Sequence, residues 1–240
     1  IGIGGSIAMG VFQVQSGVET LFDLHNSGLW LAGVIFAVLC AVYIPPLMMD
    51  LSKGMATLSN TAMTIAGALM IFVLLTGPTY YVMSGITGAI GDYFARVIPH
   101  GFQTYTFFDE KVGNWFQSWT LTFMVWWFAW APFVGVFIAR ISRGRTIREY
   151  ILGVVLVPTL FSIFWFGIFG GMGFYQGAAN KLDPAVVQTS INSTTFLLLE
   201  TMPLSRLTIA ATVLAAFLFI VTSVVSAAYV LSMFSTGGDQ

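Results

Sequence analysis

The chain has 240 residues, of which 57% are hydrophobic, 15% aromatic and only 8% charged. An average soluble domain is roughly 25% charged, and nine Lys+Arg with ten Asp+Glu cannot cover a globule of this size. The near-neutral balance excludes a nucleic-acid-binding protein, and a single cysteine, Cys40, excludes a disulfide scaffold.

Stretches 1–18, 24–49, 54–91, 112–139, 150–180 and 207–238 contain no Asp, Glu, Lys or Arg. A helix crossing the hydrocarbon of a bilayer needs about 20 apolar residues. Five of these gaps are long enough outright, and the first runs on past Glu19 to Leu21 and Phe22. The pattern predicts an all-α polytopic membrane protein with about six transmembrane helices, near 1–22, 28–50, 57–76, 115–140, 149–174 and 205–234. Continuous apolar runs, rather than short alternating ones, exclude a membrane barrel.

The gap at 54–91 exceeds one straight span and is interrupted by Gly77-Pro78, where proline removes a backbone donor. Residues 79–98, ending with Asp92 and Arg96, read as a half-buried helix along the interface. Residues 184–199, with Ser190, Asn192, Ser193 and Thr194, read as an outer loop with a partial helix.

Arg140, Arg143, Arg145 and Arg148 crowd the short connection between the fourth and fifth spans. Short arginine-rich loops stay in the cytoplasm. Alternation then places both chain ends inside, with His25, Lys111 and Lys181 in outer loops. The first residues, Ile1-Gly2-Ile3-Gly4-Gly5, begin within an apolar run, and Gly237-Gly238-Asp239-Gln240 closely follow a span, so the chain is expected to be an internal piece of a longer protein.

The fourth span carries aromatics at 119, 123, 126, 130, 133 and 137, a spacing that lines one helical face. Trp126, Trp127 and Trp130 fall mid-span, away from the interfaces where tryptophan usually anchors a helix. Two readings fit: aromatic packing between helices, or a set of π faces for a quaternary ammonium or sulfonium group, which has no N–H to donate. In the sixth span Phe219, Thr222, Ser223 and Ser226 share a face. Their hydroxyls either bond back to the preceding turn or supply oxygens to a dehydrated hard cation. Gln15 and Glu19, one turn apart, read as packing and an interface anchor. His25 and His100 have no neighbouring ligands to suggest a transition metal.

The run Trp126-Trp127-x-x-Trp130-Ala131-Pro132-Phe133-Val134-Gly135-x-Phe137, continued through Arg140-Ile141-Ser142-Arg143-Gly144-Arg145, resembles the signature of the betaine/choline/carnitine transporter family. The likeness extends to Gln13-Val14-Gln15-Ser16-Gly17, to Gly77-Pro78-Thr79 with Ile90-Gly91-Asp92-Tyr93-Phe94, and to Thr222-Ser223-x-x-Ser226-Ala227. On this resemblance the chain corresponds to helices five to ten of twelve. It implies a LeuT-type inverted-repeat fold, with residues 1–114 closing the first repeat and residues 115–240 opening the second.

The resemblance also implies function. It points to secondary active transport of a small quaternary-ammonium or sulfonium compound (betaine, choline or carnitine), with Na⁺ as the coupling ion and no cofactor. Trp126, Trp127 and Trp130 would line the substrate path. Phe219, Thr222 and Ser223 match one ion-site pattern, and Phe133 matches a position of a second. A homotrimer in a bacterial inner membrane is implied as well. Three positions depart from the family pattern: Gly5-Ser6 stands where Thr-Ser is frequent, Val224-Val225 where Ala-Asp is frequent, and Met124 where an aromatic is frequent. The first two bear on ion stoichiometry and the third on substrate size. Proton-driven or exchange transport of the same compounds is the alternative. A membrane-embedded enzyme would need a buried carboxylate pair, a His cluster or a Ser-His arrangement, and a channel would need a repeated pore-lining motif; no span carries either.

Overall fold

The computed structural model describes residues 2–24, 27–48, 51–189 and 191–236. The expectations for His25, Ser190 and the terminal residues Ile1 and Gly237–Gln240 lie outside these. Among the described residues the long elements are all helical: α1 Gly2–Phe22, α2 Gly28–Met48, α3 Leu51–Thr76, α4 Thr79–Gly101, α5 Glu110–Ile141 and α6 Ile147–Ala178. Two short helices come next, α7 Pro184–Thr189 and α8 Thr194–Glu200, before the 31-residue α9, Ser205–Ser235.

Among the described residues, five helices are long and apolar enough to cross a membrane: α2, α3, α5, α6 and α9. The sixth expected span, α1, has the length but not the apolarity, because Gln13, Gln15, Ser16, Glu19 and Thr20 crowd its second half. It nevertheless packs along α9. A Cβ at Gly17 would lie 2.5 Å from both Phe196 and Val213, so only glycine lets the two backbones approach there. At 1.5 Å per residue α9 is roughly 45 Å long, and it forms the post on which α1, α2 and α3 pack.

Two apolar clusters hold the bundle. In one, Val11 and Val14 of α1, Leu31, Ile35 and Leu39 of α2, and Val221, Val224 and Val225 of α9 are buried together. In the other, Val73 of α3 and Val82 and Ile86 of α4 meet Ile168 and Met172 of α6, with Phe196, Leu198 and Leu199 of α8. Because apolar side chains gain little from leaving lipid, close packing matters more than burial in such a bundle. Ala62 and Ala66, both fully buried, and Gly167, whose Cβ would stand 2.4 Å from Ile86, supply the small surfaces it needs.

The chain breaks where Gly77-Pro78 predicted. Pro78 cannot donate to the Leu74 carbonyl, and the Thr79 hydroxyl takes that acceptor instead at 2.7 Å. The next helix, α4, buries only Val82 and Ile86, leaving Tyr80, Tyr93, Phe94 and Ile98 on its outer surface. The helix stands where residues 79–98 predicted it and runs three residues further, but it buries two side chains rather than half of its surface. The 184–199 region differs more. Beyond the surface segment α7, α8 drives Phe196, Leu198 and Leu199 into the core, so it is a packed element rather than mainly a loop.

At the α1–α2 junction, the Gln15 side-chain amide donates to Glu19 Oε1 at 3.0 Å, Ser27 Oγ at 3.1 Å and the Gly28 carbonyl at 3.1 Å. The Ser27 hydroxyl also donates to the Glu19 carboxylate. The expected packing role of Gln15 and Glu19 thus takes the form of a polar clasp across the junction.

Candidate functional site

Two stretches shape α5. After an Asp109 N-cap that accepts from the Val112 amide at 2.9 Å, residues Phe116–Leu121 form a π-helical turn before the regular helix resumes at Thr122. The Thr122 hydroxyl reaches back to the Gln117 carbonyl at 2.8 Å. A turn of this kind changes the angular register of the helix beyond it. The aromatic stripe is half-buried only from Trp126 on: Trp126, Trp130, Phe133 and Phe137 are half-buried, whereas Trp119, within the π turn, and Phe123, just beyond it, are exposed. Trp127, next to Trp126 and so about 100° around the helix, is 64% exposed and meets the Phe123 ring at 6.3 Å.

The half-buried stripe turns Trp130 towards α1 and α9, where a cavity of about 330 Å³ opens. Its aromatic walls are Trp130, Trp165 and Phe219. Its polar atoms come from Ser6, Gln13, Thr195, Thr212 and Ser223. The indole N–H of Trp130 is buried and finds no acceptor among the described residues, which leaves a donor whose desolvation is uncompensated, typically a cost of about 1–3 kcal/mol. Phe133, one turn on, sets its edge against the Trp130 ring, with centroids 5.5 Å apart and planes at 90°.

On α9 the hydroxyls are arranged with one polarity. Thr222 Oγ1 and Ser223 Oγ both donate to the Phe219 carbonyl, at 3.0 and 2.8 Å, and Ser226 donates to the Thr222 carbonyl at 2.8 Å. This is the back-bonding that membrane-helix hydroxyls commonly make. Each hydroxyl proton is taken up by a carbonyl of the preceding turn, so the oxygen lone pairs remain to accept from a donor or a cation. Ser223 is exposed and lines the cavity; Thr222 is half-buried beside it.

Of the residues singled out from the sequence, the cavity gathers Trp130, Phe219 and Ser223 from two helices. Phe133 adjoins it through Trp130, while Trp126, Trp127 and Thr222 are not among its walls. Sequence reasoning missed Trp165 and gave Gln13, part of the run that carries the family likeness, no place in a site. The 161-165-169 spacing of Phe161, Trp165 and Phe169 was a readable aromatic repeat, but within an apolar run it carried no special weight.

A second cavity, about 250 Å³, lies where the end of α1 meets α7 and α8, with Glu19, Asp23 and Glu200 on its rim. Ser16 and Ser193 hydroxyls join across it at 2.6 Å. Burial and the nearby Asp23 carboxylate push the Glu200 carboxyl above its ordinary value. The arginine-rich connection between α5 and α6 is a tight turn. Gly144 takes a positive φ of 80°, and Thr146 and Glu149 form a capping box that starts α6.

Comparison with known proteins fits this architecture. The profile of the BCCT, betaine/carnitine/choline family of transporters matches residues 1–240. The chain belongs to that family, and its apolar helices are those of a multi-pass membrane protein. It is similar to the glycine betaine transporter OpuD of Bacillus subtilis (36% identical, covering 100% of this chain and 46% of that protein). It is also similar to the ectoine/glycine betaine/proline transporter EctP of Corynebacterium glutamicum (35% identical, 100% and 39%). The osmo-dependent choline transporter BetT2 of Acinetobacter baylyi is 34% identical over 98% of this chain and 34% of its own length. The chain thus spans less than half the length of these relatives.

Proposed function

We propose that the protein is a secondary active transporter of a small onium compound, a quaternary ammonium or sulfonium osmolyte of the betaine or choline kind, and that Na⁺ drives it. The observation that carries this reading is the convergence of Trp130, Phe219 and Ser223 on one cavity. An onium group has no hydrogen-bond donor and is held by aromatic faces, each contributing ~0.5–2 kcal/mol. Trp130 supplies such a ring. Trp126 and Trp127 line the path to the site. Family membership and the betaine and choline transporters among the relatives support the same substrate class, and the ectoine transporter supports the wider class of small osmolytes.

The outward-turned oxygens of Thr222 and Ser223, beside Phe219, make one half of a Na⁺ site, and Phe133 contributes to a second. Residues 1–114 and 115–240 belong to successive inverted repeats of a LeuT-type fold, whose relative rocking alternates access to the cavity. The protein works as a homotrimer, with the arginine turn and both chain ends on the cytoplasmic side of a bacterial inner membrane. Tryptophan fluorescence of the purified full-length protein tests the substrate reading. Saturable quenching by glycine betaine or choline, absent with a non-onium osmolyte such as trehalose, supports it; a flat titration with every onium compound rejects it.

A further inference from the structure

We infer that Trp165 sets the upper size of the compound that the cavity accepts, an inference that rests on the onium-transport reading. Trp165 comes from α6, whereas Trp130 and Ser223 come from α5 and α9 and Gln13 from α1, so it walls the cavity from a further helix. Its ring is fixed by its own helix. Phe161 stacks on it one turn earlier, at 5.8 Å and 21°, and Phe169 packs on it one turn later, at 4.4 Å and 38°. Phe169 in turn packs against the cluster of Val82, Ile86 and Met172. The indole therefore cannot swing aside without breaking ring contacts on two sides and disturbing the α4–α6 core. A cavity of about 330 Å³ is near the lower limit for small-molecule pockets. A wall that is both bulky and immobile then decides how much longer than the smallest ligand a ligand can be.

Size selection by such a wall is worth about tenfold or more per added methylene-sized group. The test compares uptake of glycine betaine and the longer L-carnitine by the full-length protein, measured as kcat/KM for each. Trp165→Leu and Trp165→Phe are set beside Trp30→Leu, an exposed tryptophan on α2 outside the cavity. The ratio of carnitine to betaine should rise about tenfold in Trp165→Leu, by less in Trp165→Phe, and stay unchanged in Trp30→Leu. A purely structural role would lower both rates and leave their ratio alone. If Trp165→Leu does not reach the membrane, the Phe variant carries the comparison. An unchanged ratio in a Trp165 variant that still transports betaine overturns the inference while sparing the transport reading. A parent protein that takes up neither of these compounds overturns the inference, and one that takes up no choline either overturns the transport reading with it.

Discussion

The rings of Trp130 and Phe133 meet edge to face at 5.5 Å, one turn apart on α5. Trp130 stands on the cavity wall, and Phe133 occupies the position proposed for an ion site. A shift of either ring is felt by its neighbour, because T-shaped pairs are held by both contact area and quadrupole geometry. On the proposed reading, this contact would link the ion and substrate positions.

Trp130→Leu should weaken binding of a methylated onium compound by ~1–2 kcal/mol, a five- to thirtyfold loss in affinity, while Trp130→Phe should cost less. The same replacement at Phe133 should raise the half-saturating concentrations of both substrate and Na⁺, since coupling is reciprocal. Equilibrium binding of radiolabelled substrate at several Na⁺ concentrations measures both. Normal affinity in leucine variants of Trp126, Trp127 and Trp130 alike would reduce the aromatic stripe to packing.

Thr222→Ala and Ser223→Ala should each raise the Na⁺ concentration needed for half-maximal transport, because a dehydrated cation loses an oxygen ligand. Apparent substrate affinity should recover at saturating Na⁺. Equal transport in Na⁺ and K⁺ media by the unaltered protein would reject sodium coupling and leave proton-driven or exchange transport.

Ser142→Cys, in the arginine turn, should be shielded from an impermeant thiol reagent added to intact cells in a Cys40→Ser background. Lys181→Cys, beyond the end of α6, should react. The basis is the resistance of clustered arginines to translocation, and labelling of Ser142→Cys from outside would invert the arrangement.

The raised Glu200 carboxyl has a definite sign. Its folded pKa exceeds the ordinary 4.5, so its contribution is fully present below that value and is lost as pH rises through the elevated one. Glu200→Gln should therefore be more heat-resistant than the parent at neutral pH, and the difference should vanish in acid. Unfolding midpoints in detergent across that range measure it. A difference independent of pH would assign the effect to something other than ionisation.

The helices were largely legible because charge is so scarce: each gap between Asp, Glu, Lys or Arg residues located a long helix, although α3 starts before the expected residue 57 and α1 is less apolar than a membrane span. The break at Gly77-Pro78 was legible for a local reason, the missing proline N–H. Other features depended on the third dimension. Nothing between Phe116 and Leu121 marks a π turn, yet it changes the angular register between Trp119 and the aromatics that follow. Ser27 and Gln15 are twelve residues apart, so their hydrogen bond could not be read from helical spacing. Phe196 looked like part of a polar loop because Ser193 and Thr194 precede it, but it is fully buried where Gly17 gives it room. Trp165 was hidden among other aromatics until α6 was seen to reach the cavity of α1, α5 and α9.

Uptake of radiolabelled glycine betaine, choline and carnitine by the full-length protein reconstituted in liposomes, under an inward Na⁺ gradient, tests the central claim most directly. Accumulation of at least one of these compounds above its external concentration, competed by the other onium compounds and lost in Trp130→Leu at low substrate, is the predicted result. Failure to accumulate or exchange any of the three, with the protein folded and correctly inserted, would contradict it.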